Sequence, residues 1–141
     1  MANWYGAARS NYFQVSDMPG LTASLENTDV SIHSNSDGSL HCLLVESSGD
    51  GDWPSFVETA ADEDEVEFDF EVHVMPFVAD GEVVVTMVAG HEKLRYITGA
   101  ACAYVRRGEV VTECHLLLND IYDLAVEELG VTRNEITECS Y

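Results

Sequence analysis

Carboxylates dominate the chemistry that this sequence could perform, and residues 65–74 arrange them most regularly. Acidic or polar side chains alternate there with apolar ones from Glu65 to Val74 without interruption. Because successive side chains on a β-strand point to opposite faces, the pattern predicts a strand with one acidic and one apolar face. Alternate side chains would stand about 6.6 Å apart, which is the scale on which a DNA backbone repeats its charges.

The candidate binding surface comprises this row and the acidic residues near it in the sequence. Three interpretations are open: a solvated sheet face, an adaptation to high salt, or a DNA mimic that occupies a nucleic-acid channel. Regular spacing on a rigid strand favours mimicry, because a basic channel would release counterions on meeting the carboxylates as it does on meeting DNA. The predicted contact row is Glu63, Asp64, Glu65, Glu67, Asp69 and Glu71, with Asp50, Asp52, Asp62 and Glu58 nearby.

The net charge excludes several classes of partner. The chain has 26 Asp and Glu against 6 Lys and Arg, a formal net charge of -20, and 46% hydrophobic residues, so it is not a disordered acidic tail. Such a surface repels nucleic acid and anionic lipid and attracts basic surfaces and cations. We therefore expect a basic protein surface as the partner, with no direct contact to nucleic acid or membrane.

Metal and catalytic sites receive little support from the spacing of their residues. His41-Cys42 and Cys114-His115 are adjacent pairs whose side chains point to opposite faces of a strand, whereas zinc needs four converging ligands. Asp50-Gly51-Asp52 lacks the other acidic ligands of a calcium loop. The sequence contains no GxSxG, no HExxH and no phosphate-binding glycine loop. We predict no cofactor, no metal and no enzymatic activity.

A second candidate surface is the N-terminal aromatic segment with Trp4, Tyr5 and Arg9. In this alternative the protein blocks its partner by shape, and the acidic residues serve solubility. Two further alternatives are an acidic, halophile-type domain of unrelated function and an enzyme of unrecognised type that modifies a host factor.

The apolar patterns predict an α+β fold in a single domain, residues 1–141, with a mostly antiparallel sheet of about five to six strands. One C-terminal helix is expected from Asn119 to Leu129 with Gly130 as its C-cap, and one or two short helices, the first over 18–26. The predicted strands are a short one at 12–15, a hairpin over 29–46, and strands at 65–72, 82–89, 94–106 and 109–115. A helical turn after residue 70 is an alternative to the end of the 65–72 strand, because Val66, Phe70, His73 and Phe77 fall near one helical face.

The cysteines and the termini predict a cytoplasmic protein. Cys42, Cys102, Cys114 and Cys139 show no CxxC spacing, which favours reduced thiols. The N-terminus does not have the pattern of a signal peptide, and no apolar stretch approaches about 20 residues. A three-residue loop between the last two strands would put Cys102 opposite Cys114, and an exposed sheet edge would allow a homodimer.

Four segments carry a resemblance to a known class of proteins: Asn3–Phe13, Asp80–Val85, Glu92–Gly99 and Ile121-Tyr122. On these segments the chain resembles small acidic anti-defence proteins, of anti-CRISPR or antirestriction type, that phages and plasmids encode. The resemblance implies a mobile-element protein without a catalytic motif that counters host defence in the host cytoplasm, and several such inhibitors mimic DNA. The combined expectation is a non-enzymatic inhibitor in the basic DNA-binding channel of a host nuclease or CRISPR effector complex.

Overall fold

The computed structural model describes residues 4–45, 52–58, 65–92 and 96–139. Its elements in chain order are β1 (Trp4–Ser10), α1 (Met18–Leu25), β2 (Val30–Ser34), β3 (His41–Val45), β4 (Phe56–Glu58), β5 (Glu65–Glu67), α2 (Phe70–His73), β6 (Val83–Glu92), β7 (Tyr96–Arg107), β8 (Val110–Leu117) and α3 (Asp120–Leu129). Short 3₁₀ turns lie at Met75–Phe77 and Arg133–Glu135. The predicted α+β class with a C-terminal helix is confirmed.

Six strands form the main sheet in the order β2-β3-β1-β6-β7-β8, and β4 pairs with β5 in a separate hairpin. All the pairings between these strands are antiparallel. One face of the main sheet, the covered face, is buried by α1, α2 and the 3₁₀ turn Met75–Phe77. The core between them includes Ala8, Leu43, Val45 and Val84 from the strands and Leu21, Leu25, Phe70, Val74 and Met75 from the helical segments.

The N-terminal segment forms a central strand, which the sequence patterns did not predict. β1 lies between β3 and β6, whereas the expected strand at 12–15 is reduced to two isolated bridges, one from Phe13 and one from Val15. The ladder is interrupted at Ser10, whose hydroxyl accepts a hydrogen bond from the backbone N–H of Leu43 at 2.8 Å. The strand therefore ends before the residues whose composition is most typical of a strand.

The predicted hairpins over 29–46 and at the end of the sheet are confirmed, but the register of the second differs by one residue. β7 and β8 are joined by two residues, of which Gly108 has a φ of 63° that suits a tight hairpin turn. Cys102 therefore lies opposite His115, and the expected pairing of Cys102 with Cys114 is wrong. A shift of one residue places the two cysteines on opposite faces of the sheet, and both are free thiols.

The two longer helices begin and end where the sequence predicts. The side chain of Asp17 accepts a hydrogen bond from the N–H of Gly20 at 3.0 Å and caps α1, and Gly130 ends α3 with a left-handed φ of 66°. α3 buries none of its residues, so Ile121 and Leu124 stay about half exposed. No helix in the four described ranges is long and apolar enough to span a membrane.

Candidate acidic binding site

The strand predicted over 65–72 ends at Glu67, so the prediction is wrong for its second half. The side chain of Asp69 accepts a hydrogen bond from the N–H of Glu71 at 2.9 Å and begins α2. A cap of this kind satisfies a backbone donor that a helix leaves free at its N-terminus. Phe70 and Val74, four residues apart, are both buried, as helical periodicity requires. The acidic–apolar alternation in the sequence continues to Val74, although the backbone changes from a strand to a helix after Glu67.

The hairpin that holds β5 is short and does not bury the apolar side predicted for it. Its partner β4 has three residues and follows Pro54, and the N–H of Phe68 closes the end of the hairpin on the carbonyl of Ser55 at 2.9 Å. Val57 is buried, but Val66 directly opposite is 43% exposed. The two-stranded hairpin therefore presents Glu65 and Glu67 without forming a regular extended face.

The predicted contact residues fall into three groups. Glu65, Glu67, Asp69 and Glu71 are exposed and are called the acidic patch below, and Asp52 is exposed as well. The backbone of Glu58 pairs with that of Glu65 across the β4–β5 hairpin. Only Glu65 and Glu67 keep the strand spacing of about 6.6 Å, so the straight row becomes a patch over a hairpin and a helix. Asp50, Asp62, Glu63 and Asp64 lie outside the described residues.

The carboxylates of the acidic patch have no ion-pair partner within the described ranges. The ion pairs there join Arg106 to Asp80 at 3.5 Å and Arg133 to Glu138 at 2.8 Å, and both belong to other parts of the surface. With 6 basic residues against 26 acidic ones, the chain has few cations of its own to offer. The charge of the patch is therefore directed to solvent and to external cations.

An aromatic cleft adjoins the acidic patch, with a volume of about 390 Å³. The Phe70 ring stacks on Tyr104 at 5.3 Å between centroids and receives the edge of Trp53 at 4.9 Å. The Phe68 ring stacks on His73 at 5.4 Å. Two members of the patch, Glu67 and Asp69, line the same cleft. The sequence interpretation missed this cleft because Tyr104 reaches it from β7, far along the chain.

The surroundings of Tyr104 favour the neutral form of its phenol. Burial raises the pKa of Tyr104 above its usual range, and its hydrogen bond with Cys102 and the charges of Glu113 and Asp69 act in the same direction. Neutral aromatic faces beside carboxylates attract a guanidinium or ammonium group through both its charge and the ring quadrupoles. The arrangement therefore suits an arginine or lysine side chain from a basic surface.

Two residues of the alternative N-terminal surface, Tyr5 and Arg9, lie on the other face of the main sheet. Tyr5 and Arg9 are exposed on β1, and Tyr5 stands 5.8 Å from the ring of His91 on β6. They share a face with Met87, which pairs with Arg9 across the two strands. Trp4 begins β1. The structure thus separates Tyr5 and Arg9 from the acidic patch.

Within the ranges that the structure describes, no group of three or more His, Cys, Asp or Glu side chains could hold a metal ion. Comparison of the chain with protein-family models, curated proteins and solved structures finds no match. The acidic patch and the aromatic cleft are the features of the described residues that bear most directly on function.

Proposed function

We propose that this protein is a non-enzymatic inhibitor that binds the basic DNA-binding surface of a host nuclease or CRISPR effector complex and excludes DNA from it. The observation that supports this proposal best is the acidic patch, whose exposed carboxylates lack ion-pair partners in the described chain. A DNA-binding channel supplies the cations that the patch lacks. Binding would release the counterions of both surfaces, as it does when the channel binds phosphates.

The proposed mimicry is one of charge density and does not need a straight row of carboxylates. Glu65 and Glu67 lie on strand β5, whereas Asp69 and Glu71 lie at the start of helix α2 and therefore leave the line of the strand. A channel that follows a duplex is itself curved, so a patch over two elements can meet several of its cations. Charge pairs buried in such an interface contribute up to a few kcal/mol each, and pairs at its rim contribute little.

The aromatic cleft adds an anchor to this electrostatic surface. An arginine of the partner could place its guanidinium over the ring of Phe68 or Tyr104 and pair with Asp69 at the same time. Such stacking contributes about 0.5–2 kcal/mol, more when the site is shielded from water. The cleft would make the interaction more selective for arginine than simple charge attraction, because the planar guanidinium also stacks on rings.

The resemblance of Asn3–Phe13 and Glu92–Gly99 to phage and plasmid anti-defence proteins motivates the choice of a defence complex as the target. The site of action proposed on this basis is the cytoplasm of the host cell. A pull-down from host lysate at low and at high salt would identify the target. Capture that is lost as salt rises would support an electrostatic interface.

Once the target is known, competition with DNA tests the patch directly. The patch variant carries Glu65→Gln, Glu67→Gln, Asp69→Asn and Glu71→Gln, and asparagine at 69 keeps the cap of α2 because it caps helices as well as aspartate does. We expect this variant to compete with DNA at least about 100-fold less well at about 0.1 M salt, because it loses the charges that release counterions.

The matched control removes the same number of charges from α3, through Asp120→Asn, Asp123→Asn, Glu127→Gln and Glu128→Gln. It should compete almost as well as the natural chain. Equal loss in both variants would mean that net charge alone matters, as expected if the acidity serves solubility or high-salt adaptation. Unchanged competition by the patch variant would refute the proposed site.

A further inference from the structure

In the described parts of the chain, no helix covers the face of the main sheet opposite the covered face along β1, β6, β7 and β8, and this face is called the open face below. Its members follow from the register, in which Arg9, Met87, Ala101 and Leu116 form one row across the four strands. Large apolar side chains on this face are 47% to 66% exposed: Tyr5, Val83, Met87, Ile97, Val110 and Leu116. A continuous apolar patch of this kind marks an interaction surface.

The described strands contribute no acidic residue to the open face, and carboxylates meet it only beyond β8, where Asp120 and Asp123 of α3 share a hollow with Leu116. None of the β1, β6, β7 and β8 positions on this face is Asp or Glu, although the whole chain contains 26 of them. Its charged positions are Arg9 and Arg107. The acidic patch instead lies with α2, which packs on the covered face. The fold thus separates the negative charge from the apolar surface.

Small and large side chains alternate along the open face, so its surface has hollows and projections. A hollow of about 560 Å³ is lined by Gly6, Ala7, Ala89 and Gly90, with Tyr5, His91 and Ile97 around it. The next row presents Met87, which is 59% exposed. The Nδ1 atom of His91 is buried and has no hydrogen-bond partner within the described residues, and most such atoms in proteins are paired. Projections beside a hollow allow two such faces to interdigitate.

We infer that a second copy of this chain covers the open face, with the two sheets stacked about a twofold axis. The distribution of charge favours a second copy over a basic partner at this face. A basic partner is drawn to the acidic surfaces, whereas a second acidic copy is repelled from them and approaches best through the face whose strands carry no carboxylates. Stacked sheets keep about 10 Å between their planes, and the acidic patches on the outer sides are separated by more than the Debye length of about 8 Å.

The area of the open face is sufficient for such a dimer. Four strands spaced about 4.8 Å apart and about nine residues long cover about 600 Å² per copy, or about 1,200 Å² in total. Specific interfaces bury about 1,200–2,000 Å². Two stacked sheets pack with their strands about 30° apart, a geometry that twisted antiparallel sheets adopt readily. The dimer uses a sheet face, which distinguishes it from pairing through an exposed sheet edge.

Sedimentation equilibrium of the full chain tests the inference. We expect a species of twice the chain mass at micromolar concentration, and a dimer that tightens as salt rises, because screening weakens the repulsion between two highly acidic chains. Met87→Glu and Ile97→Glu should each weaken dimerisation at least about 10-fold, because each places a carboxylate in the apolar interface. Both side chains are more than half exposed, so the changes spare the core.

Val72→Glu is the matched control, since Val72 is 60% exposed on α2 and lies away from the open face. It should leave the dimer intact, and far-UV circular dichroism checks that all three variants fold. A chain that stays monomeric at every concentration and salt would overturn the inference. A dimer that survives both open-face variants would also overturn it and would point to edge pairing through β8.

Discussion

Arg106 connects the end of β7 to the segment that follows α2. Its guanidinium donates to the backbone carbonyls of Met75 at 3.0 Å and Val78 at 2.5 Å, and both of these residues are buried. A third bond reaches the carbonyl of Gly108 at 2.8 Å. The carbonyl of Met75 also accepts a hydrogen bond from the N–H of Val78 at 3.2 Å within the 3₁₀ turn, so Arg106 is its second donor. One side chain therefore ties the end of β7 to the backbone of the segment that follows α2.

Replacing Arg106 by alanine should lower the free energy of unfolding by about 2–3 kcal/mol, because it removes the charged donor from the buried carbonyl of Val78 and one of the two donors of the Met75 carbonyl. Urea denaturation measures the change. Arg107→Ala is the control, because this neighbouring side chain is exposed, and its removal should change stability by less than about 0.5 kcal/mol. Equal effects of the two changes would contradict the role assigned to Arg106.

At the scale of elements, the packing of α1 on the 3₁₀ turn Met75–Phe77 depends on a glycine within the helix. A Cβ at Gly20 would collide with the Oδ2 atom of Asp17 and come within 2.7 Å of the Phe77 ring. Glycine in a helix costs about 1 kcal/mol relative to alanine. The close approach of the ring explains why α1 tolerates this residue in its first turn.

Gly20→Ala should therefore destabilise the protein by about 1–3 kcal/mol despite the better helix propensity of alanine, because the cap and the ring must both move. Thermal and urea unfolding measure the change. Gly99→Ala is the matched control in β7, where the nearest heavy atom to a new Cβ would be the carbonyl oxygen of Val88 at 3.5 Å. There we expect no loss, or a gain of a few tenths of a kcal/mol. Stabilisation by Gly20→Ala would show that the contact with Phe77 relaxes freely.

At the scale of the whole molecule, the distribution of charge matters more than its amount. A net charge of -20 repels itself in the folded state, and the fold concentrates carboxylates away from one apolar sheet face. If both proposals hold, the dimer presents two acidic patches outward. Each copy could then bind a basic site. Because the two copies are joined in one dimer, the second binding event is intramolecular, and the overall affinity rises without any new contact.

Added salt should stabilise this protein. Raising sodium chloride from about 0.05 M to about 0.5 M should raise the melting temperature by several degrees, because screening reduces the self-repulsion of the native state. Differential scanning calorimetry at neutral pH measures the shift. The patch variant, which has four fewer charges, should show a smaller rise. A melting temperature that falls with salt would mean that internal ion pairs outweigh the repulsion.

Local patterns in the sequence determined the elements whose signals lie within a few residues. Such signals predict the N-cap of α1, the C-cap of α3, the turns before β3 and between β7 and β8, and the long strands. The expected N-cap of α3 is not formed by its side chain, because Asn119 makes no capping hydrogen bond. The α+β class follows from their order. Composition likewise determined that the surface is strongly acidic, because net charge does not depend on how the chain folds.

Tertiary structure decided what depends on partners far along the chain. β1 is a strand because β3 and β6 pair with it on both sides, although its own small residues carry a weak pattern. The strand does not continue through residues 68–74, because Asp69 caps a helix and Phe70 stacks on Tyr104. The alternation of acidic and apolar residues there does not correspond to a strand. The open face without acidic strand residues arises from the register of four strands, and register is set by pairing and turn length together.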